Sequence, residues 1–217
     1  MQELIGKPLP LKLSAGPPPR RTVQRSQLEI TAYHEAGHVV VALALGRRVR
    51  EVGLHADWAR CGSGWMDHAG PPPVGDLRIT RTNLRRYWVR AVNDAVIDAK
   101  ICMAGPLAEA RYTRRSLREL GQFEDFEDVV AILTRLERVR KSVPVLADDS
   151  LAYYKRGLFD RIAIETAYLL GRRGNIWRAV GALAKTLLRK PHLSGDEVRD
   201  VLERAYSPPD QLRLPVN

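Results

Sequence analysis

The chain has 217 residues, 45% of them hydrophobic, and a formal net charge of +10, enough length and apolar content for one ordinary domain with a buried core and too much for a disordered chain. No run reaches the ~18 apolar residues that a membrane-spanning helix needs, and residues 1–25 lack the apolar centre of a secretory signal. Its two cysteines, Cys61 and Cys102, stand outside any Cys-x-x-Cys spacing, which excludes a disulfide framework and points to a cytoplasmic protein.

Residues 1–25, with Pro17-Pro18-Pro19-Arg20-Arg21, read as a flexible tail. Ser26-Gln27-Leu28-Glu29 has the form of a capping box and opens a helix over 27–45, with Gly46 as its C-terminal cap and Arg47 and Arg48 at the negative end of its dipole. Leu28, Ala32, Tyr33, Ala36, Val39, Val40, Val41, Leu43 and Leu45 make this helix apolar nearly all round, as in a buried helix. It carries His34-Glu35-Ala36-Gly37-His38. Histidines four apart share one helix face, so both imidazoles can reach one Zn²⁺. Glu35 follows the first of them and can take a proton from a water beside the metal. Two buried histidines and a glutamate need partners, and a metal supplies them together.

A strand over 49–55 follows, then a Gly-containing turn and a second strand candidate at Trp65-Met66-Asp67-His68, ended by Pro71-Pro72-Pro73. Helical spacing of Leu84, Trp88, Ala91, Ala95, Ala99 and Cys102 predicts a long helix over 82–103. Gly105-Pro106 is expected to close it and to open a short helix through Arg111. Phe126, Val129, Val130, Leu133 and Leu136 mark one side of a helix over 123–140. Beyond a connector at 141–149, helices are expected over 150–170, 176–188 and 195–205, the last opened by a second capping box, Ser194-Gly195-Asp196-Glu197. The fold class is α+β, mostly α, with a small β element after the metal helix. One domain is expected over 26–206, with the metal site in 26–140 and C-terminal helices in 150–206, followed by a tail at 207–217.

The pI near 10.0 raises nucleic acid as a partner. The basic residues are dispersed, at Arg20-Arg21, Arg47-Arg48, Arg85-Arg86, Arg114-Arg115, Arg138-Arg140 and Arg172-Arg173, and no base-reading motif accompanies them. Solvated helix faces account for most of them, so nucleic acid is not the favoured partner. Trp65 and Trp88 read as packing residues, Trp65 on a strand that could line a substrate groove, and Cys61 and Cys102 as structural, with Cys102 buried in its helix. A catalytic zinc needs a third protein ligand and an open position; Asp125, Asp128, Glu109 and His68 are the candidates. Glu109 reads rather as a helix-surface or supporting carboxylate, and His68 as a loop histidine.

Taken together, the chain resembles the peptidase domain of the FtsH-type AAA+ zinc metalloproteases. The stretch from Thr31 through His34-Glu35-Ala36-Gly37-His38 to Leu43 is similar to that family's metal helix; Val49 to His55 and Gly64-Trp65 are similar to its next two strands. Ile101-Cys102-Met103-Ala104-Gly105-Pro106-Leu107-Ala108-Glu109 is similar to a segment that usually reads Gly-Gly-Arg-x-Ala-Glu, with Ala104 in place of the first Gly and Pro106 in place of the Arg. Gln122 to Val129 falls where the family carries its third zinc ligand, an aspartate. The similarity covers about residues 27–140, and more loosely the C-terminal helices, where Leu193 to Val198 is similar to the last one.

The resemblance implies a zincin-like, Zn²⁺-dependent endopeptidase with His34, His38 and Asp125 as ligands and Glu35 as general base. Asp125 is preferred over Asp128 because Phe126, Val129, Ile132 and Leu133 follow it at the offsets where the family's ligand helix buries its own apolar residues. Without a Gly-x-x-x-x-Gly-Lys-Ser/Thr loop, the implied form is stand-alone and ATP-independent, its substrate a peptide or an unfolded protein segment that could pair with the strand at 64–68. Two alternatives remain: a catalytically decayed zinc-binding module, which the altered Gly105 segment favours, and a basic regulatory protein that binds nucleic acid or an acidic partner.

Overall fold

The computed structural model describes residues 26–55, 64–68, 80, 83–120, 124–142, 155–171 and 175–205. Both tails, Cys61, the triple proline and most of the 141–149 connector lie outside these residues. The described chain runs α1 (Gln27–Ala44), β1 (Val49–Leu54), β2 (Gly64–His68), α2 (Leu84–Thr113), α3 (Leu117–Leu120), α4 (Glu124–Ser142), α5 (Lys155–Gly171), α6 (Asn175–Arg189), β3 (His192–Ser194) and α7 (Gly195–Ala205). It is α+β and mostly α: seven helices and one three-stranded antiparallel sheet among the described residues. None of these helices is long and apolar enough to cross a membrane.

The start of α1 follows from its first four residues. Ser26 Oγ accepts from the Glu29 amide at 3.2 Å, and Glu29 accepts from the Ser26 amide at 3.0 Å, so two amides that no helical carbonyl could reach are satisfied. The helix ends where Gly46 turns left-handed, at φ 79°. From Thr31 to Ala42 nearly every side chain is buried, because α1 is walled by α2 on one side, α6 on another and the sheet on a third. The main core accordingly joins α1 and β1 to residues of α2, α6, β3 and α7. A second cluster, Ala99, Met103, Val129, Leu133 and Ile162, fastens α2 to α4 and α5.

In the sheet β1 is central, with β2 and β3 on its two sides. Val52 faces Met66 on β2 and Leu193 on β3. Only Leu193 of the three β3 residues is buried, too short a pattern for alternation to reveal, and the sequence reading has no strand there. Ser194 and Glu197 form the expected reciprocal cap of α7.

One boundary is corrected. The helix expected to close at Gly105-Pro106 continues: α2 is a single helix with Pro106 inside it. Proline costs a helix the hydrogen bond to the carbonyl four residues back, yet Pro106 is buried and α1, α4 and α5 pack against α2, so tertiary contacts override the local signal. Cys102, expected to be buried, is only partly so, at the margin of the second cluster.

Arg47 also does more than complement a helix dipole. It is 7% exposed and its guanidinium reaches Asp98 Oδ1 at 2.9 Å and Asp94 Oδ1 at 3.4 Å, tying the end of α1 to α2. Arg47→Ala would leave Asp98 without its cation and Asp94 with Arg90 alone, at 3.9 Å, and about 2–3 kcal/mol of stability should be lost. Arg47→Lys should recover only part, since an ammonium cannot fork between two carboxylates. Urea midpoints of the three proteins would measure this; equal midpoints would show the cluster to be energetically idle.

Candidate metal centre

Three helices meet at the histidines. His34, Glu35 and His38 come from α1, Glu109 and the Ile101 carbonyl from α2, and Asp125 from the first turn of α4. His38 Nδ1 lies 2.7 Å from the Ile101 carbonyl oxygen, which can only accept, so that nitrogen donates and His38 Nε2 keeps its lone pair. His34 Nδ1 lies 3.2 Å from Glu109 Oε2, and a proton there likewise leaves Nε2 bare. The two Nε2 atoms face each other at 3.1 Å. Asp125 adds its oxygens, Oδ2 at 3.0 Å from His34 Nε2 and Oδ1 at 3.3 Å from His38 Nε2.

Two imidazole lone pairs and a carboxylate aimed at one point repel unless a cation stands between them. Ligand atoms about 2.0–2.1 Å from a tetrahedral zinc would be about 3.3 Å apart, close to the separations found here. His34, His38 and Asp125 are the one group among the described residues whose donor atoms gather in this way, all within 4.8 Å of one another. Donor chemistry and spacing therefore fit zinc, and the outer hydrogen bonds are those that hold metal-binding histidines in place.

With no cation between them a proton takes its place, on the His34 Nε2 that faces Asp125. Burial alone would lower the His34 pKa, but hydrogen bonds with Asp125 and Glu109, with the charges of Glu35 and Asp125, lift it to about 9. Burial would raise Asp125; its hydrogen bonds with His34 and His38 instead hold it well below the usual carboxylate range. Its place in the first turn of α4 also favours the charged form. Glu35 is 6% exposed, and burial raises its pKa, offset in part by the nearby charges of His38 and His34. A carboxylate shifted upward is better matched to proton transfer near neutrality.

Asp128, one turn beyond Asp125, is exposed. Phe126, Val129 and Leu133 seat α4 in the second cluster, and that seating turns Asp125 toward the histidines. Glu109 supports His34 instead of joining the converging atoms. Trp88 is buried against Leu136 as a packing residue. The backbone of His68 pairs with Val49. His55, just beyond β1, figures in the sequence only as the end of a strand; its charge is felt at Glu35.

In the sequence Gly105 marks a helix stop and part of the family-like segment, and neither reading gives it contact with the histidines. A Cβ there would fall 2.6 Å from His34 Nε2 and from His38 Cε1, so the absence of a side chain is what lets the two rings lie over α2. Gly37 plays the matching part on α1, where a Cβ would lie 2.6 Å from Ala108 Cβ and 2.7 Å from the Ala104 carbonyl. The readable signal was that helical spacing continues past Gly105 through small residues. Gly→Ala inside a helix ordinarily stabilises by about 0.5–1 kcal/mol. At position 105 the sign should reverse, with zinc affinity falling by on the order of 100-fold; unchanged zinc competition against a chromophoric chelator would refute the cradle.

No protein-family model matches the chain, and a search of curated proteins gives no match.

Proposed function

We propose that this protein is a Zn²⁺-dependent metallopeptidase that cleaves flexible polypeptide segments without an ATPase of its own. The observation that carries the proposal is the meeting of His34 Nε2, His38 Nε2 and the Asp125 carboxylate within 4.8 Å, with Glu35 buried on the same helix. The likeness of the metal helix to that of FtsH-type peptidases supports it. Bound there, zinc would supply a Lewis acid that makes a water acidic and draws electron density from a carbonyl.

The rest falls to the chain's own groups. His34, His38 and Asp125 would hold the ion, with Glu109 and the Ile101 carbonyl keeping both rings oriented. The Glu35 carboxylate accepts the proton of the attacking water and hands it to the leaving amine. β2 lies at the sheet edge and packs near α1, so an extended substrate could add to it by backbone pairing. Only a segment already unfolded could do so.

The test is cleavage of an unstructured, internally quenched polypeptide by the zinc-loaded chain. Hydrolysis that stops on chelation and returns with zinc is the expected result. Tight zinc binding without any hydrolysis would overturn the enzyme in favour of a metal-binding module, the reading that the Pro106 and Ala104 departures favour.

A further inference from the structure

The seam between α1 and α2 is built in layers. At Gly37 the two backbones run close, against Ala104 and Ala108. One turn further out on each helix, four residues before Gly37 and four after Ala108, stand Tyr33 and Tyr112. Their rings are stacked, with centroids 3.7 Å apart and planes inclined by 10°, and both side chains are half-buried.

Aromatic rings left to themselves pair offset or edge to face, with centroids about 4.5–7 Å apart. A closer, nearly parallel pair is imposed by the helices that carry it. The small-residue layer draws the backbones together, and two flat side chains face to face are what the next layer can hold. The stack is backed from α6: the Trp177 ring lies 5.7 Å from that of Tyr33. Trp177 is covered in turn by the Arg111 guanidinium, 4.5 Å from its ring centre, and Arg111 donates to the Leu170 carbonyl near the end of α5.

Each tyrosine adjoins a residue of the metal centre. Tyr33 precedes His34, and Tyr112 follows Glu109 by about one helical turn. The Glu109 carboxylate meets His34 Nδ1 at 3.2 Å. The ring pair and the carboxylate–imidazole pair therefore bridge the same two helices side by side. Gly37 permits the close approach but, having no side chain, sets no rotation. The stacked rings do: turning either helix about its axis would separate them and draw Glu109 from His34.

We propose that Tyr33 and Tyr112 are positioning residues of the metal centre. Their stack, braced by Trp177, fixes the rotation of α1 against α2 at which Glu109 holds the His34 ring. The inference rests on the reading of His34 as a zinc ligand and does not depend on hydrolysis. It also ties α5 and α6, which supply none of the converging donor atoms, to the site.

The experiment measures zinc affinity of the full chain by competition with a chromophoric chelator. Y112L keeps an apolar side chain but no flat ring, and its affinity should fall about tenfold, the lower end of what loss of a supporting group costs. Y112F keeps the ring and should bind zinc as the wild type does. A double variant reads the route through Glu109: Y112L/E109Q should bind zinc no more weakly than E109Q, whereas independent structural damage would add. W177L removes the brace and leaves both tyrosines, so a smaller loss is expected; it takes the place of Y112L if circular dichroism shows that variant unfolded. Wild-type affinity in the folded ring variant would overturn the proposal. So would a loss in Y112F equal to that in Y112L, or additive losses in the double variant. A wild type that binds no zinc would refute the metal centre and this proposal with it, while zinc binding without hydrolysis would overturn the peptidase reading alone.

Discussion

Glu35→Gln is expected to abolish peptide hydrolysis while the protein keeps its zinc and its fold. The exchange retains size and shape on a helix whose neighbours are fully packed, but an amide oxygen cannot take up the proton that the attacking water must lose. A positioned general base contributes about 10²–10⁴-fold to rate, and turnover should fall by that factor at saturating substrate, with little change in KM. Zinc stoichiometry should not change, because the proposed coordinating set is His34, His38 and Asp125 and not Glu35. Undiminished turnover by the variant would remove Glu35 from the chemistry even if the chain proved to be a peptidase.

Asp125→Ala should all but eliminate zinc retention, and Asp128→Ala should leave it unchanged. Only Asp125 stands within 3.3 Å of both Nε2 atoms; Asp128 is exposed. Loss of a supporting group costs about 10–100-fold in metal affinity, and loss of a direct ligand should exceed that range. Glu109→Gln is the useful internal standard, since Glu109 touches His34 at Nδ1 and stays outside the converging atoms. The expected order of damage is Asp125→Ala, then Glu109→Gln, then Asp128→Ala. Loss of zinc in the Asp128 variant alone would refute the assignment, and equal losses at Asp125 and Glu109 would reduce Asp125 to a supporting role.

Much of this molecule is local, and local features are readable. His34 and His38 share a face of α1 because four residues are one helical turn, whatever the rest of the chain does. The two capping boxes name their own partners three residues away, and an all-round apolar helix must be buried wherever it goes. Asp125 was accessible for a less direct reason: the apolar spacing of Phe126, Val129 and Leu133 sets which way its helix faces, and resemblance to a family supplied the rest.

Tertiary structure decided what depends on contacts between distant segments. Pro106 is a helix breaker by propensity, yet it lies inside α2 because the packing of α1, α4 and α5 outweighs one missing hydrogen bond. The Ile101 carbonyl sets the orientation of His38, and no side-chain pattern announces a backbone acceptor. β3 owes its existence to the free side of β1 and to one buried leucine. Gly105 shows the difference most plainly. In the sequence it is a residue that weakens a helix; in the fold it is the space that two imidazoles occupy, a property of the distance between α1 and α2 and of nothing adjacent in the chain.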